Sequence, residues 1–450
     1  MSPNVGDSQD GWQAARLLPT VGLTKAKERE QRATSSLLAV MHAVPEFARA
    51  ITKKLGAPKG TVETFAEIQL RDRDDKKCIP DGAIVVKRGK RGKRGKRGGT
   101  VWRCLVEVKT GNSSIEVDQV SRYLDWAREN KFDAVLTISN EIVASPEESP
   151  VSVHGGKLRT VGLYHLSWWR ILTEAIVQHR YRGVSDPDQA WILDELIAYL
   201  EHENSGASGL RGMGDNWVSV RNSASNDTLR STDSGVRDVV ERWIQFVEFL
   251  ALRLGQDLGR DVRPAWPRKS TQKDLVDDAL LELVKNGRMK ASLKVPDAVG
   301  ELQVEANLRR KTVTTRVELE APKTEQRPST KIAWLTRQLR DADESLTIDV
   351  FFVKTREPSS ELLKEARETP KALLSPTDKK RDPRGFRISM TRKLGQKRGD
   401  DKGSFVGDTK RQALDFYRGV VQDLQEWQAP APKLPREEEG AQDDSAESDD

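Results

Sequence analysis

Ile79-Pro80-Asp81-Gly82-Ala83-Ile84-Val85-Val86 and, after a gap of fourteen residues, Val101-Trp102-Arg103-Cys104-Leu105-Val106-Glu107-Val108-Lys109-Thr110 decide how this chain is read. Both runs are short, apolar and rich in β-branched residues, so each predicts a buried strand, over 79–86 and 101–110. Strand alternation puts Glu107 and Lys109 on one face and turns Val108 into the core. An antiparallel pairing that brings Asp81 to the Glu107 end sets two carboxylates and an ammonium together. Two carboxylates offer the hard oxygen ligands that Mg²⁺ or Mn²⁺ takes, and a bound divalent cation lowers the pKa of water for attack on a phosphodiester. The ammonium of Lys109 would orient that water and stabilise developing anionic charge.

The following helix, Ile115 to Asn130, carries Gln119 and Tyr123 one turn apart on one face. Neither fragment is unique: Pro-Asp recurs at Pro187-Asp188 and Pro296-Asp297, and Glu-x-Lys at Glu129-Asn130-Lys131. Only the first combination has the order, the strand placement and the helix. Read without a site, Glu107 and Lys109 are an exposed strand pair, Asp81 a turn residue, and Gln119 with Tyr123 a packing pair.

Pro80-Asp81, Glu107-Val108-Lys109 and Gln119-Val120-Ser121-Arg122-Tyr123 together resemble the PD-(D/E)xK nuclease superfamily, the restriction-endonuclease-like fold. The last segment is similar to the QxxxY helix motif of nuclease domains attached to bacterial recombination helicases. Glu28-Arg29-Glu30, in the helix before the first strand, resembles the acidic first motif of archaeal Holliday-junction resolvases. The resemblance covers residues 20 to 180. It implies metal at Asp81, Glu107 and Glu28, with Glu30 next, a water-positioning Lys109, and support of the strand or site by Gln119 and Tyr123. Glu67, set across from Asp81 by a symmetric turn about Asp74, reads as a hairpin-facing charge rather than a ligand.

Between the two strands lie Lys87, Arg88, Lys90, Arg91, Lys93, Arg94, Lys96 and Arg97, in Lys-Arg-Gly repeats that end at Gly99. Glycine at every third position opposes helix, so the arm at 87–99 is expected to be flexible and to follow phosphates through counterion release, without reading sequence. It leaves from the strand ends opposite Asp81 and Glu107, ~16 Å away, and is expected to grip nucleic acid beyond the scissile region. No Gly-Lys in it is followed by Ser or Thr, so it is not a P-loop.

The whole chain has 450 residues, 32% charged and 36% hydrophobic, with a net charge of +6. Residues 437–450 hold eight carboxylates and no cation; removing those eight charges from +6 leaves +14 on residues 1–436. The expected architecture is α/β. Residues 1–20 are disordered; 21–202 form a restriction-endonuclease-like mixed sheet flanked by helices; 203–234, rich in Ser, Gly, Asn and Asp, is a linker. Residues 235–430 form a C-terminal α+β domain of unknown role, and 431–450 are an acidic disordered tail. Within the second domain, helices at Val236–Leu258 and Gln272–Asn286 precede a hairpin around Leu302–Val317, with Arg309, Arg310, Lys311 and Arg316 near its turn. A last helix is expected from Arg411 to Trp427.

No apolar run reaches membrane-spanning length, and two cysteines agree with a reducing compartment; the expectation is a cytoplasmic protein. Cys78 and Cys104 fall out of register and are expected to be free thiols. The five histidines have no ligand spacing, and His165 reads as structural. The functional expectation is a Mg²⁺- or Mn²⁺-dependent nuclease acting on nucleic acid, DNA first, in repair, stress response or defence against foreign DNA. A homodimer is compatible with it. A catalytically silent nucleic-acid binder of the same fold and a protein-interaction scaffold are the alternatives.

Overall fold

The computed structural model describes residues 16–19, 25–71, 77–88, 100–111, 113–207, 209–377 and 379–428. The expected disordered segments (except 16–19), the acidic tail and six of the arm cations, Lys90 to Arg97, lie outside the described residues. The fold is mixed α/β.

The chain enters through α1 (Ala26–Ala43) and α2 (Pro45–Lys54), where the apolar pattern predicts one helix over 24–56. Pro45 has no N–H to continue the ladder, so it starts a new helix and Val44 leaves helical geometry. Next come β1 (Thr61–Ala66), a two-residue ribbon of β2 (Leu70–Arg71) and β3 (Lys77–Cys78), β4 (Gly82–Arg88) and β5 (Thr100–Val108). Helix α3 (Val117–Glu129) crosses over to β6 (Ala134–Ser139), followed by β7 (Gly162–Ser167), α4 (Trp168–Val177) and α5 (Pro187–Glu201). The sheet order is β1-β4-β5-β6-β7: β1, β4 and β5 are antiparallel neighbours, and β5, β6 and β7 run parallel.

Alternation sorts the two faces. Cys104, Val106 and Val108 of β5 join Ala134, Leu136 and Ile138 of β6 beneath α1, α2, α4 and α5. Leu105 and Val135 turn the other way, against Val120, Tyr123, Leu124 and Ala127 of α3. Glu107 shares the face of Leu105, so it faces α3.

The C-terminal half comprises α6 (Trp217–Ser225), α7 (Val236–Leu258), β8 (Arg263–Pro264), α8 (Gln272–Asn286), β9 (Arg288–Lys294), β10 (Leu302–Asn307) and β11 (Thr312–Glu320). It continues through α9 (Pro328–Gln338), β12 (Thr347–Phe352), β13 (Ser359–Leu362), α10 (Leu363–Glu368), β14 (Pro383–Lys393) and α11 (Phe405–Gly419). Its sheet has the order β13-β12-β14-β11-β10-β9-β8 and every described pairing is antiparallel.

The linker expectation for 203–234 fails. Leu210, Met213, Trp217, Val220, Ala224 and Leu229 are all buried in the same core as α7 and the second sheet. Spaced apolar residues inside a polar sequence suffice to fix the segment, because burying each large side chain is worth roughly 1.5–3 kcal/mol. The halves also dock directly. Trp169 of α4 stacks on Phe249 of α7 at 4.9 Å, Gln256 Nε2 donates to Thr173 Oγ1 at 2.8 Å, and Glu148 accepts from the Gln272 backbone N–H at 3.2 Å.

Candidate active site

The β4–β5 register pairs Gly82 with Val106 and Arg88 with Thr100. Asp81, one residue before β4, therefore stands across from Glu107, and the connection between the strands leaves from their far end. Asp81 Oδ2 accepts from the Val108 backbone N–H at 2.8 Å, and the Asp81 carbonyl accepts from the Glu67 N–H at 3.0 Å. The aspartate is thus held by both neighbouring strands.

Glu107, 2% exposed, is the hub. Its Oε1 accepts from Gln119 Nε2 at 2.5 Å and from Lys109 Nζ at 2.8 Å. The charge of Glu107 is felt at both the Tyr123 hydroxyl and the Asp81 carboxyl, so both stand beside it. Helix spacing explains the convergence: residues four apart share a face, and that face of α3 covers the end of β5. Tyr123 is itself buried and packs on Trp126 at 5.7 Å. Tyr123 thus packs within α3 while standing beside Glu107.

Burial, then the charge of Glu107, pushes the Asp81 carboxyl up to about 7, against the lowering effect of the Val108 N–H and Lys109. Two carboxylates confined together resist joint ionisation without a cation. Burial works against the Lys109 ammonium, but its bond to Glu107 and the charges of Glu107, Glu30 and Asp81 hold its pKa above the ordinary value. Lys109 is accordingly a fixed cation, fit to orient and stabilise rather than to accept a proton. The same burial drives the Tyr123 phenol upward, so it is a donor at neutral pH.

Lys109 is also pinned by its backbone. Its N–H donates to the Ile138 carbonyl at 2.7 Å, and its carbonyl accepts from Trp168 Nε1 at 2.9 Å. Sequence reasoning does not single out Trp168, although its place directly after β7, at the carboxyl ends of the parallel strands, marks it.

Not every expected residue arrives. Glu28 is not brought to the pair: its side chain is 45% exposed and meets Lys25 at 3.9 Å. Glu30 is the α1 carboxylate whose charge is felt at Lys109. Residues two apart on a helix do not share a face, so only one of the two can turn inward. Glu67 is exposed and accepts from Gln31 at 3.2 Å. Of the arm, Lys87 bonds both oxygens of Glu63 across β1 and β4, at 2.7 and 2.5 Å, rather than standing free, and Arg88 is exposed.

Both cysteines are buried free thiols, and burial raises the pKa of each, Cys78 to about 12. His165 is buried between Thr137 Oγ1 and the Glu141 carbonyl, each at 2.9 Å, and burial lowers its pKa to about 4. It is a neutral structural histidine.

Among the described residues no group of three or more His, Cys, Asp or Glu side chains is arranged to hold a metal ion. The donor set that is present is smaller: two carboxylates, with Glu107 Oε2 buried and lacking a hydrogen-bond donor. One or two carboxylates with waters and substrate oxygens are what Mg²⁺ ordinarily takes, so the residues fit such an ion. Among the described residues no helix is long and apolar enough to cross a membrane.

The chain has no significant match among protein-family models, curated proteins or solved structures.

Proposed function

We propose that the N-terminal half is a metal-dependent nuclease of the restriction-endonuclease-like fold, hydrolysing phosphodiester bonds, of DNA in the first instance. One observation carries this reading. Lys109 and Gln119 bond the buried Glu107 carboxylate at the end of β4 and β5, and Asp81 and Tyr123 stand beside it within the reach of its charge. A buried charge cluster is costly to maintain for stability alone, and sites with perturbed acids in a constrained setting are where chemistry is found. The sheet order, with an antiparallel β1-β4-β5 edge continuing into parallel β6 and β7, agrees with that fold.

In this reading Asp81 and Glu107 would hold Mg²⁺ or Mn²⁺. Such an ion supplies a nucleophile by acidifying water and neutralises the phosphate. Lys109 Nζ, held by Glu107, orients the attacking water and stabilises charge on the non-bridging phosphate oxygens. Gln119 fixes the Glu107 carboxylate by donating to it, as residues behind a ligand commonly do, and Tyr123 backs the pair through its packing on Trp126. The P–O bond to the leaving sugar oxygen breaks as the water oxygen bonds to phosphorus; the water gives up a proton to solvent, and the leaving oxygen takes one up from solvent.

The test is incubation of the full chain with linear, nicked and branched DNA, and with RNA, in Mg²⁺, Mn²⁺ or EDTA. Metal-dependent cleavage of at least one substrate is expected. Tight binding with no cleavage of any substrate in either metal would replace this reading with the silent-binder alternative.

A further inference from the structure

A cleft of about 550 Å³ opens beside the candidate site, between the first sheet and the C-terminal half. One wall is Gly209-Leu210-Arg211-Gly212-Met213-Gly214, in the segment whose composition suggests a linker. Leu210 and Met213 are buried anchors, which leaves Arg211 exposed between them. Opposite it runs Lys397-Arg398-Gly399, so close that a Cβ on Gly212 would lie 3.7 Å from the Gly399 nitrogen. Gly214 and Gly399 have φ of 81° and 89°, which glycine adopts without strain.

The lining is polarised. Arg211, Arg242, Lys397 and Arg398 are exposed, and none makes an ion pair among the described residues. Two acids, Glu141 and Asp215, share the lining. Trp217, 3% exposed, also lines the cleft, and its Nε1 is buried with no protein acceptor. A buried donor without an acceptor in a cleft lined by Arg211, Lys397 and Arg398 is suited to an anion's oxygens, since an unmet buried donor costs about 1–3 kcal/mol.

Position then selects the anion. Gly111 lines the cleft and lies two residues beyond Lys109, a chain distance of at most ~7 Å. Asp81, Glu107 and Lys109 do not line the cleft; Gly111 is where its wall comes within two residues of Lys109.

We infer that this cleft is the path of the substrate strand, with its phosphates on Arg211, Lys397 and Arg398, leading toward the carboxylate pair. The inference rests on the proposed function and extends it by naming the C-terminal half as the substrate's second wall.

The experiment measures binding of a labelled 20-nucleotide strand and its duplex to the full chain in EDTA, across a salt series. The variants are R211A/K397A/R398A, R211K/R398K and Asp81→Asn. These cleft side chains are exposed, and a thermal melt checks each fold. Expected is a loss of at least tenfold in affinity for the triple alanine variant, with its log–log salt slope shallower by about 0.7–0.9 for each phosphate that is no longer neutralised. The lysine variant keeps the slope, and Asp81→Asn keeps binding.

Unchanged affinity and slope in the triple variant overturn the inference, even where wild type cleaves and Asp81→Asn does not. Lost binding in that variant with no cleavage by wild type leaves the phosphate path standing and removes the nuclease reading. AMP is the control for a free nucleotide. If AMP binds wild type, loses binding in the triple variant, and oligonucleotide binding is unaffected, the cleft is a nucleotide pocket and the inference fails.

Discussion

The backbone N–H of Val108 donates to Asp81 Oδ2 at 2.8 Å, which fixes the aspartate of one strand to the strand that carries Glu107. The bond sets two carboxyl groups together in a buried place, and burial with mutual repulsion raises Asp81 to about 7. Asparagine at 81 can still accept from Val108 through its oxygen and can donate its NH₂ to Glu107. Asp81→Asn is therefore expected to stabilise the metal-free protein at pH 8 by ~1–2 kcal/mol, as relief of a strained site commonly does. Urea denaturation in EDTA measures it, and a destabilised variant would mean that the pair is not under repulsion.

Gln119 donates to the oxygen of Glu107 that also accepts from Lys109. Gln119→Leu removes that donor and keeps a side chain of similar length. Loss of a residue that fixes a metal ligand costs about 10–100-fold in metal affinity or activity. Cleavage rates against Mn²⁺ concentration should show a raised metal requirement and little change in melting temperature. A variant that melts early with an unaltered Mn²⁺ requirement would reduce Gln119 to packing. Tyr123→Phe keeps the Trp126 packing and should have the milder effect.

Much of the site is legible in the sequence because its parts are local. Strand alternation places Glu107, and the i, i+4 rule places Gln119 with Tyr123. Helix bounds are plainest where caps are explicit: α8 has the capping box of Thr271 with Asp274 and Gly287 at its end, and α7 ends at Gly259. The apolar run from Thr61 predicts a strand to Leu70, but β1 stops at Ala66, where Glu67 turns to φ 48°. The last helix begins at Phe405 rather than Arg411, because the Ser404 side chain accepts from the Gly407 N–H. Composition misleads at 203–234, since Leu210, Met213, Trp217 and Leu229 are too sparse to give a period yet each is buried. Which of Glu28 and Glu30 turns inward depends on how α1 is rotated over the sheet, a tertiary fact with no local signal.

The docking of the halves carries a pH dependence. Glu248 of α7 is buried; its Oε1 accepts from Trp266 Nε1 at 2.9 Å and its Oε2 from Arg170 of α4 at 3.4 Å. Burial raises its pKa to about 7, with Glu148 adding to the shift and Arg170 and Trp266 opposing it. Between pH 4.5 and 7 the folded chain holds a proton that the unfolded chain has lost, so this group's contribution to stability falls as pH rises through that window. Glu248→Gln cannot titrate. Its stability relative to wild type should increase from pH 4.5 to above 7, on the order of 2–3 kcal/mol. His165, lowered to about 4, acts in the opposite sense below pH 6.5 but is present in both chains. A wild-type-to-variant difference that is flat with pH would contradict the buried-carboxyl account.

The basic arm begins past Lys87, whose ammonium is already engaged by Glu63. Deleting residues 89–98 removes Lys90, Arg91, Lys93, Arg94, Lys96 and Arg97 and leaves that pair in place. Binding to duplex DNA should weaken, with a log–log salt slope shallower by about 0.9 for each phosphate the arm neutralises in wild type. The rate of cleavage at saturating protein should change little, because the arm leaves the strands at the end opposite Asp81. An unchanged slope would separate the arm from nucleic acid.

Single-turnover cleavage of end-labelled DNA in Mn²⁺ by wild type, Asp81→Asn and Lys109→Ala tests whether Asp81 and Lys109 act in hydrolysis. Expected are cleavage by wild type that EDTA abolishes, and a loss of at least 100-fold, about 2.7 kcal/mol in the barrier, in either variant with its melt and DNA binding retained. Cleavage at the wild-type rate in Asp81→Asn or Lys109→Ala would contradict that role.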